Sequence, residues 1–393
     1  MQKTLIYIAN YLSEEVMTRR KNQEFYSPAA NNKIISIAKS WKCVGYKVIV
    51  LSPSLSKNNS FKKNQSIKEV YEDDIEIIYV EGIDANVINR IVSIFYQIIQ
   101  IRKLIKKENI QGIIFYDFIY EMAYPAFISK YLFRKKILVD YEEEIYSKEQ
   151  SFNPHILLLY LTRKLIARKI DGAILVSSTL KKFIKTDNYC ICRGYYNETF
   201  DLMNTAELDK RGLEEYIPTI FFGGKMDRFR GIDILLEAVK YLKHPCRLVL
   251  TGYGPDLEKL KIMSQNLNSK DVSIDFRGFI SKEVYKLLAF TSDILVNTQR
   301  IDSESSELLF PSKIIEYMST GNIVVSSNVS DISLIAEDKI ILYYRDTPQD
   351  IEIILNEVLE NLEKYRDYGK RGKLYVREHF NYAKYGEDFV KLL

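Results

Sequence analysis

Apolar and polar positions alternate along this chain in two recurring patterns, short β-branched runs and longer stretches with helical spacing. Runs such as TLIYIA, YKVIVLSP, QGIIFYD and DGAILVSS are almost continuously apolar, as in strands that helices cover on both faces. Helical stretches separate these runs throughout the chain. The alternation therefore predicts parallel α/β layers.

The alternation of strand-like and helical stretches is interrupted once along the chain. Residues 201–216 (DLMNTAELDKRGLEEY) contain no apolar strand run, and the pattern restarts with PTIFFGG, CRLVLTGYG, VSIDFRGF, DILVNTQ and NIVVSSN. We predict two doubly wound domains, 1–200 and 201–393, joined near 198–216. A last helical stretch, at about 373–393, is a candidate to pack back onto the first domain.

The composition of the 393 residues, 47% of them apolar, allows a large core and excludes a globally disordered chain. No apolar run approaches the roughly 20 residues that a membrane span requires, and MQKTLIYIAN lacks the layout of a signal peptide. Cys190 and Cys192 point to opposite faces of a strand, so neither a disulfide nor a metal site is expected. A reducing, cytoplasmic location fits these features.

Charge is distributed unevenly. Residues 1–200 carry 30 Lys and Arg against 21 Asp and Glu, whereas residues 201–393 carry 26 against 31. The basic first half suggests an anionic partner: a membrane surface, a lipid phosphate or a nucleic acid. A solvated lysine-rich surface explains the same counts, and both interpretations stay open.

Candidate chemistry lies at strand ends, where doubly wound sheets bind their ligands. The first strand of the second half ends in FFGGKMDRFRG, where Lys225 and Arg230 are placed to meet a diphosphate. An ordinary turn with solvated charges is the alternative. Together, four strand ends suit one nucleotide-sized ligand, with these further candidate binding residues: Gly224, Gly252, Gly254, Gly278, Phe279 and Ile280.

With these residues in view, the chain resembles the retaining glycosyltransferases of family 4. The family's order of signals is matched here by GGK…RG, GYGP, FRGFI, SDILVNT and FPSKIIEYMSTGNIVVSSN, with Lys225 at its Arg position and Arg230 at its Lys position. The resemblance covers 200–393 well and the first half more loosely, through DGAILVSSTLKKFI and CRGYYNE. It implies an α/β protein of GT-B fold, with two doubly wound Rossmann-like domains facing across a cleft. The first would bind the acceptor and the second the nucleotide sugar.

Glu316 is a carboxylate in an otherwise apolar helix, so it needs a partner or a ligand. The resemblance implies that it accepts hydrogen bonds from the ribose hydroxyls of the donor. The helix start at Pro311, Ser312 and Lys313 is expected to offer backbone N–H groups to the donor's phosphate or sugar, with Pro311 as the first helical residue.

One position departs from the family pattern. The first of its two glutamates, which usually contacts the sugar, falls at Leu308, with Glu307 one residue early and Glu304 four residues early. Either a shift of the loop brings Glu307 in, or contact with the sugar is left to the backbone and Lys313.

In the first half, KKILVDYEEEIY places Asp140, Glu142, Glu143 and Glu144 at or just past a strand end. Like charges so close repel, so their placement needs a reason. In many family members a His-Asp pair follows this strand, and Glu142 and Glu143 align with it. We assign Glu142 to positioning of the sugar or acceptor and name Asp140 as the second candidate, for a base; a solvated acidic turn is the alternative.

A long loop is predicted between the first strand and Ile34. Within it, Arg19, Arg20 and Lys21 either meet an acceptor phosphate or belong to a solvated loop.

The chain contains no Asp-x-Asp pair, so metal independence is expected, with no metal site and no cofactor beyond the donor, a UDP- or GDP-sugar. The leading hypothesis is a retaining hexosyltransferase acting on a lipid-linked or oligosaccharide acceptor in surface polysaccharide or glycolipid synthesis. It would be cytoplasmic and peripheral on an anionic membrane surface, with no nucleic acid partner. A nucleotide-sugar epimerase and a catalytically silent GT-B partner of another transferase stay open as alternatives.

Overall fold

The computed structural model describes residues 2–22, 25–55, 60–144, 154–203, 216–265, 267, 271–301 and 304–393. The chain divides into two compact units, Met1–Cys192 with Asn381–Leu393, and Arg193–Phe380. The sequence places this boundary at 200/201. Most of the predicted linker, residues 204–215, lies outside the described residues.

The first unit is built mainly of parallel strands joined by helices, with β3 and β6 forming a separate antiparallel pair. Its described strands are β1 (Lys3–Ile8), β2 (Lys47–Ser52), β3 (Lys63–Asn64), β4 (Ile67–Tyr71), β5 (Ile75–Tyr79), β6 (Gly82–Ile83), β7 (Asn109–Tyr116), β8 (Lys136–Tyr141), β9 (Gly172–Leu175) and β10 (Tyr189–Ile191). Its described helices before the boundary are α1 (Glu14–Arg20), α2 (Pro28–Cys43), α3 (Asn86–Lys107), α4 (Tyr120–Phe133) and α5 (Pro154–Ile166).

The main sheet of the first unit has the order β10-β9-β8-β7-β1-β2-β5-β4, and β4 is the strand that runs antiparallel to its neighbour. At its centre Ile6 lies between Ile49 and Ile113, and all three are fully buried. The connection from β1 to β2 moves toward the β4 edge of the sheet, and the connection from β7 to β8 moves toward the β10 edge. Because such crossovers are right-handed, α2 covers one face of the sheet and α3, α4 and α5 cover the other.

The segment predicted as a long loop instead contains α1 and the start of α2, so that prediction was wrong. Side-chain oxygens of Ser13 and Ser27 cap the two helices. Arg20, at the end of α1, is buried, and its Nη2 donates to the carbonyl oxygens of Gln65 and Val80 over 2.9 and 3.0 Å. This side chain is therefore held by the backbone of its own unit.

The second unit repeats the architecture. Its described elements are the strands β11 (Thr219–Lys225), β12 (Cys246–Tyr253), β13 (Val272–Gly278), β14 (Ile294–Asn297), β15 (Ile323–Ser327) and β16 (Ile341–Tyr343), and the helices α6 (Ile232–Val239), α7 (Leu257–Gln265), α8 (Lys282–Thr291), α9 (Glu304–Leu308), α10 (Lys313–Thr320), α11 (Ser333–Ala336), α12 (Pro348–Glu360) and α13 (Leu362–His379). The sheet order is β13-β12-β11-β14-β15-β16, with every described pair parallel. Phe221 lies at the centre between Val249 and Leu295.

The helical stretch predicted at about 373–393 is two helices. The first, α13, ends at His379 within the second unit, and the side chain of Asn381 then caps α14 (Tyr382–Val390) by accepting from the N–H of Lys384. In the first unit α14 packs against α2, and a Cβ on Gly386 would come within 2.4 Å of the Ser40 carbonyl oxygen. None of the described helices combines the length and the apolar character that crossing a membrane requires.

Candidate functional site

The carboxyl ends of β11, β12, β13 and β14 share one edge of the second sheet, and the predicted glycines lie there. Gly224 pairs with Gly252 across β11 and β12, and a Cβ on Gly252 would come within 1.7 Å of the Gly224 carbonyl oxygen. A Cβ on Gly254 would come within 2.2 Å of the Met226 carbonyl oxygen. These glycines therefore allow close packing of the backbone at this edge, whether or not a ligand binds.

Lys313, in the first turn of α10, reaches back to the end of β11. Its Nζ donates to the carbonyl oxygen of Gly223 and stands 5.2 Å from the ring centroid of Tyr285. Burial lowers the pKa of Lys313 to about 8; the charge of Glu316 opposes this shift and that of Arg230 adds to it. The influence of these two charges places three predicted site residues in one electrostatic neighbourhood.

Two tyrosines that the sequence reasoning missed hold this cluster. The hydroxyl of Tyr317 accepts from the N–H of Gly223 over 3.1 Å, and the hydroxyl of Tyr285 donates to Oε2 of Glu316 over 3.3 Å. Burial raises the pKa of both tyrosines, so they are neutral near pH 7. The hydrogen-bond partner that the structure gives Glu316 is thus a neutral hydroxyl rather than a cation.

Lys225 and Arg230 occupy different environments. Nη1 of Arg230 donates to Oε1 of the fully buried Gln299 over 2.7 Å, which fixes the direction of the guanidinium. The side chain of Lys225 is 57% exposed and pairs with Oδ2 of Asp227 at 3.1 Å. Arg230 is therefore preorganised, whereas Lys225 keeps most of its surface in solvent.

The end of β13 carries an exposed aromatic pair. Phe279 is 78% exposed, and its ring centroid lies 5.7 Å from that of Tyr253, itself 56% exposed at the end of β12. Gly278 has a φ of +63° and Ile280 is half-buried. The sequence predicted Phe279 and missed Tyr253, although Tyr253 follows the predicted Gly252 directly.

The start of α10 differs from the prediction. The helix begins at Lys313, so Pro311 is not its first helical residue; Pro311 is buried and Ser312 is exposed. The carbonyl oxygens of Pro311 and Ser312 accept from the N–H groups of Ile314 and Ile315 over 2.9 and 3.1 Å. A contact between this helix start and a donor stays a prediction for Pro311, Ser312 and Lys313.

Leu308, at the position of the family's first glutamate, is buried at the end of the short helix α9, and Glu307 beside it is exposed. The side chain of Glu304 lies outside the described residues. The carboxylate expected at Leu308 is therefore not supplied at that position.

In the first unit, Asp140 and Glu142 lie at the end of β8 around one lysine. Oδ2 of the fully buried Asp140 accepts from the hydroxyl of Tyr7 over 2.5 Å, and its Oδ1 lies 3.8 Å from Nζ of Lys33. Lys33 also forms an ion pair with Glu142. Burial raises the pKa of Asp140 to about 6, Lys33 opposes this and Glu142 adds to it. Burial disfavours the charged form of Lys33, but the two carboxylates outweigh it and raise its pKa.

The other acids at this strand end are also held. Oδ1 of Asp117, at the end of β7, accepts from the N–H groups of Glu142 and Glu143 over 2.7 and 3.3 Å. Glu144 pairs with Arg163 of α5 at 2.8 Å. This turn is an organised structure, and Tyr7, Lys33 and Asp117 escaped the sequence reasoning because they come from distant segments.

Among the described residues, no group of three or more His, Cys, Asp and Glu side chains is arranged to hold a metal ion. Metal independence stays a prediction.

Comparison with known proteins points to the same half of the chain. Residues 204–375 match the family Glycosyl transferases group 1. An uncharacterized glycosyltransferase of Methanocaldococcus jannaschii is 23% identical over 372 residues, covering 88% of this chain and 89% of its own.

Solved structures are similar in fold to this chain. Sucrose-phosphate synthase from Thermosynechococcus elongatus is similar over 100% of this chain and 98% of its own, with a TM-score of 0.72 and 15% identity. HepE from Anabaena, solved in complex with UDP and glucose, is similar over 100% of this chain and 99% of its own, with a TM-score of 0.69 and 13% identity. At such identities the likeness shows the fold, which confirms the predicted GT-B class, and the family match indicates a transferase. Residues 204–375 thus match the model of the glycosyl transferases group 1 family, in a chain with the GT-B fold.

Proposed function

We propose that this protein is a retaining hexosyltransferase of family 4 that moves a sugar from a UDP- or GDP-sugar to an acceptor hydroxyl. The observation that carries the proposal is that Lys313 and Glu316 both lie against Tyr285 at the end of β11, inside the segment that matches the family. HepE, which has the same fold, is solved with UDP and glucose, and this supports a nucleotide-sugar donor.

The cations act on the leaving group. As the bond between sugar and diphosphate breaks, negative charge develops on the diphosphate oxygens, and fixed cations stabilise it without reorganising. Arg230 is already oriented by Gln299, and Lys313, with a pKa of about 8, is mostly protonated at pH 7. Lys225 adds a third, more mobile cation from the end of β11.

Glu316 and the aromatic pair bind the nucleoside. The carboxylate of Glu316 accepts hydrogen bonds from the ribose hydroxyls. The exposed rings of Tyr253 and Phe279 offer faces on which the base stacks, an interaction worth about 1–3 kcal/mol per base in other proteins. Backbone N–H groups near Ser312 contact the sugar or phosphate.

Retention follows from attack on the front face, with the leaving diphosphate assisting deprotonation of the acceptor. No protein nucleophile is assigned. Glu142 positions the acceptor, and Asp140, fully buried and bonded to Tyr7, fits a positioning residue better than a base that touches substrate. The acceptor is a lipid-linked or oligosaccharide chain of a surface polysaccharide or glycolipid, reached at the cytoplasmic face of an anionic membrane.

One observation favours a second candidate, a catalytically silent GT-B partner of another transferase. The buried Leu308 stands where the family has the glutamate that contacts the sugar. A silent partner would keep nucleotide binding and lose turnover.

A donor panel separates these candidates. The protein is incubated with UDP- and GDP-linked hexoses, and thermal stabilisation and release of nucleoside diphosphate are measured together. If the protein is a transferase, one donor should both stabilise it and be slowly hydrolysed. Stabilisation without any hydrolysis identifies the silent partner, and conversion of the donor to an epimer identifies the epimerase.

A further inference from the structure

The part of helix α3 up to Ile99 reverses the ordinary amphipathic pattern, whereas Ile101 and Leu104 in its last turns are buried as usual. Asn89, Ser93 and Gln97, four residues apart, face inward and are fully buried. The apolar side chains along the outward face form a stripe, here called the α3 stripe: Ile88 (53% exposed), Ile91 (57%), Phe95 (63%) and Ile99 (49%). Buried polar groups and exposed large apolar groups are the informative exceptions in a folded protein.

Hydrogen bonds fix this orientation. Oδ1 of Asn89 accepts from the N–H of Ile83 over 2.9 Å, and Nε2 of Gln97 donates to the carbonyl oxygen of Glu121 over 2.9 Å. Rotating α3 to bury its stripe would break these buried bonds, each costly to leave unmade. The outward apolar face is therefore a built feature.

A second apolar stripe lies on the same face of the sheet. Helix α4 packs against both α3 and α5, and α5 exposes leucines at helical spacing, here called the α5 stripe: Leu157 (43%), Leu158 (39%), Leu161 (50%) and Leu165 (49%). Exposed apolar stripes on neighbouring helices are typical of an interaction site.

The exposed charges on these three helices have one sign. The only acidic residue in α3, α4 and α5 is Glu121, which is 1% exposed and bound to Arg90 in an ion pair. The exposed charged side chains of these helices are all basic, namely Arg102, Lys103, Lys106, Lys107 and Lys164. An apolar face with a basic border matches the surface of an anionic bilayer.

We propose that the face formed by the α3 and α5 stripes docks on a lipid bilayer with anionic headgroups. The apolar side chains enter the boundary between headgroups and acyl chains, and the lysines at the end of α3 meet lipid phosphates. A second copy of the chain is disfavoured as the occupant, because symmetric pairing would bring two basic borders together. The inference rests on the membrane association proposed above and is independent of the transfer chemistry.

Vesicle flotation tests it with the full chain. The protein is mixed with vesicles of phosphatidylcholine alone, or with added phosphatidylglycerol, at low and high salt. We expect binding to the anionic vesicles, weakened by salt. The double variant Ile91→Ser and Phe95→Ser should lower the partition coefficient at least about tenfold, and Lys103→Gln with Lys106→Gln and Lys107→Gln should lower it about a hundredfold at low salt.

A matched control is available in the second unit. Ile353 and Leu374 are 60% and 64% exposed, so Ile353→Ser with Leu374→Ser removes as much exposed apolar surface without touching the stripes. The control should bind vesicles like wild type, and all variants should hydrolyse donor at the wild-type rate without vesicles. Absent vesicle binding, or equal losses in the stripe and control variants, overturns the proposal. So does a wild-type dimer that the stripe variant dissociates and that binds no vesicles.

Discussion

The hydroxyl of Tyr285 donates a hydrogen bond of 3.3 Å to Oε2 of Glu316. The bond is long and its donor is neutral, so it does little to compensate the carboxylate for its partial burial. Lys313, one turn earlier on α10, directs its ammonium to the carbonyl oxygen of Gly223 instead. A ligand with two hydroxyls in this place would satisfy Glu316 better than the protein does.

Glu316→Gln tests that assignment. The amide keeps the shape but loses the charge and half of the acceptor capacity. Donor affinity, measured by calorimetric titration, should fall by about 1–3 kcal/mol, the range for a lost hydrogen bond to a charged group. The melting temperature of the unliganded protein should stay the same or rise.

Tyr285→Phe is the matched control, since it removes the protein's own hydrogen bond and leaves the carboxylate. Its donor affinity should change little. If Glu316→Gln instead lowers the melting temperature markedly, and weakens donors with and without ribose hydroxyls equally, Glu316 is a structural residue.

Arg230→Ala and Lys225→Ala should weaken binding of nucleoside diphosphate by different amounts. Loss of the preorganised Arg230 should weaken binding by about 1.5–3 kcal/mol. Loss of Lys225, which is exposed and paired with Asp227, should weaken binding by an amount at or below the lower end of that range. Affinity for the nucleoside alone should hardly change. Arg228→Ala serves as the control, because Arg228 is exposed beside these residues and is not predicted to bind the diphosphate. An equal loss of affinity in this variant would mean that general surface charge explains the effect.

Lys313 should make diphosphate affinity depend on pH. Its pKa of about 8 in the unliganded protein lies below the ordinary value, because burial disfavours its charge. A bound diphosphate keeps Lys313 protonated to higher pH, so affinity should be level between about pH 7 and 8 and fall by up to about tenfold per unit above pH 8. The ligand adds no slope there, because a terminal phosphate has its second pKa near about 6.

Titration calorimetry at several pH values above neutrality measures this profile. In Lys313→Met the profile should be flat and the affinity at neutral pH lower, whereas Arg230→Ala should keep the slope because arginine does not titrate in this range. The same slope in wild type and Lys313→Met would remove Lys313 from the phosphate site.

Both sheets could be predicted from the sequence because strands covered on both faces must be apolar whatever their neighbours are. Helix α1 could not, since its seven residues, EEVMTRR, show no apolar period. The inward face of α3 could not be predicted from the sequence either. Its isoleucines lie on one helical face and its Asn, Ser and Gln residues on another, and either face could have been the buried one. Only the hydrogen bonds of Asn89 and Gln97 decide which set faces inward.

Strand-end glycines and cations of the candidate site could be found because they are local in sequence. The partners that orient them could not. Tyr317 and Tyr285 look like ordinary helix residues until α10 and α8 meet β11, and Tyr7 and Lys33 reach Asp140 from more than one hundred residues away along the chain. Such contacts depend on topology rather than on any local pattern.

Lys33→Met tests the buried cluster of the first unit. Without the ammonium group, the negative charges of Asp140 and Glu142 lose the cation that both carboxylates share. The free energy of unfolding at neutral pH should therefore fall by about 3–5 kcal/mol. The pKa of Asp140, already raised to about 6, rises further in the variant. The folded state then takes up protons at a pH where the unfolded state does not, so the deficit should shrink as the pH is lowered toward 5.

Denaturant unfolding at two pH values measures this deficit. Asp140→Asn in the Lys33→Met background should restore part of the stability. Lys39→Met, on the same helix with an exposed partner, Glu72, at 3.5 Å, should cost less than about 1 kcal/mol. Equal costs at Lys33 and Lys39 would mean that the cluster is not a coupled unit.

Proton NMR of the donor's anomeric signal during turnover tests whether the protein is a retaining transferase. Wild-type protein is incubated with the donor that stabilises it, and the first hexose released is observed before mutarotation. We expect this hexose to have the anomeric configuration of the donor, and we expect Arg230→Ala to slow its release. Release of the opposite anomer would contradict retention, and an unchanged donor signal despite bound nucleotide would contradict the assignment as a transferase.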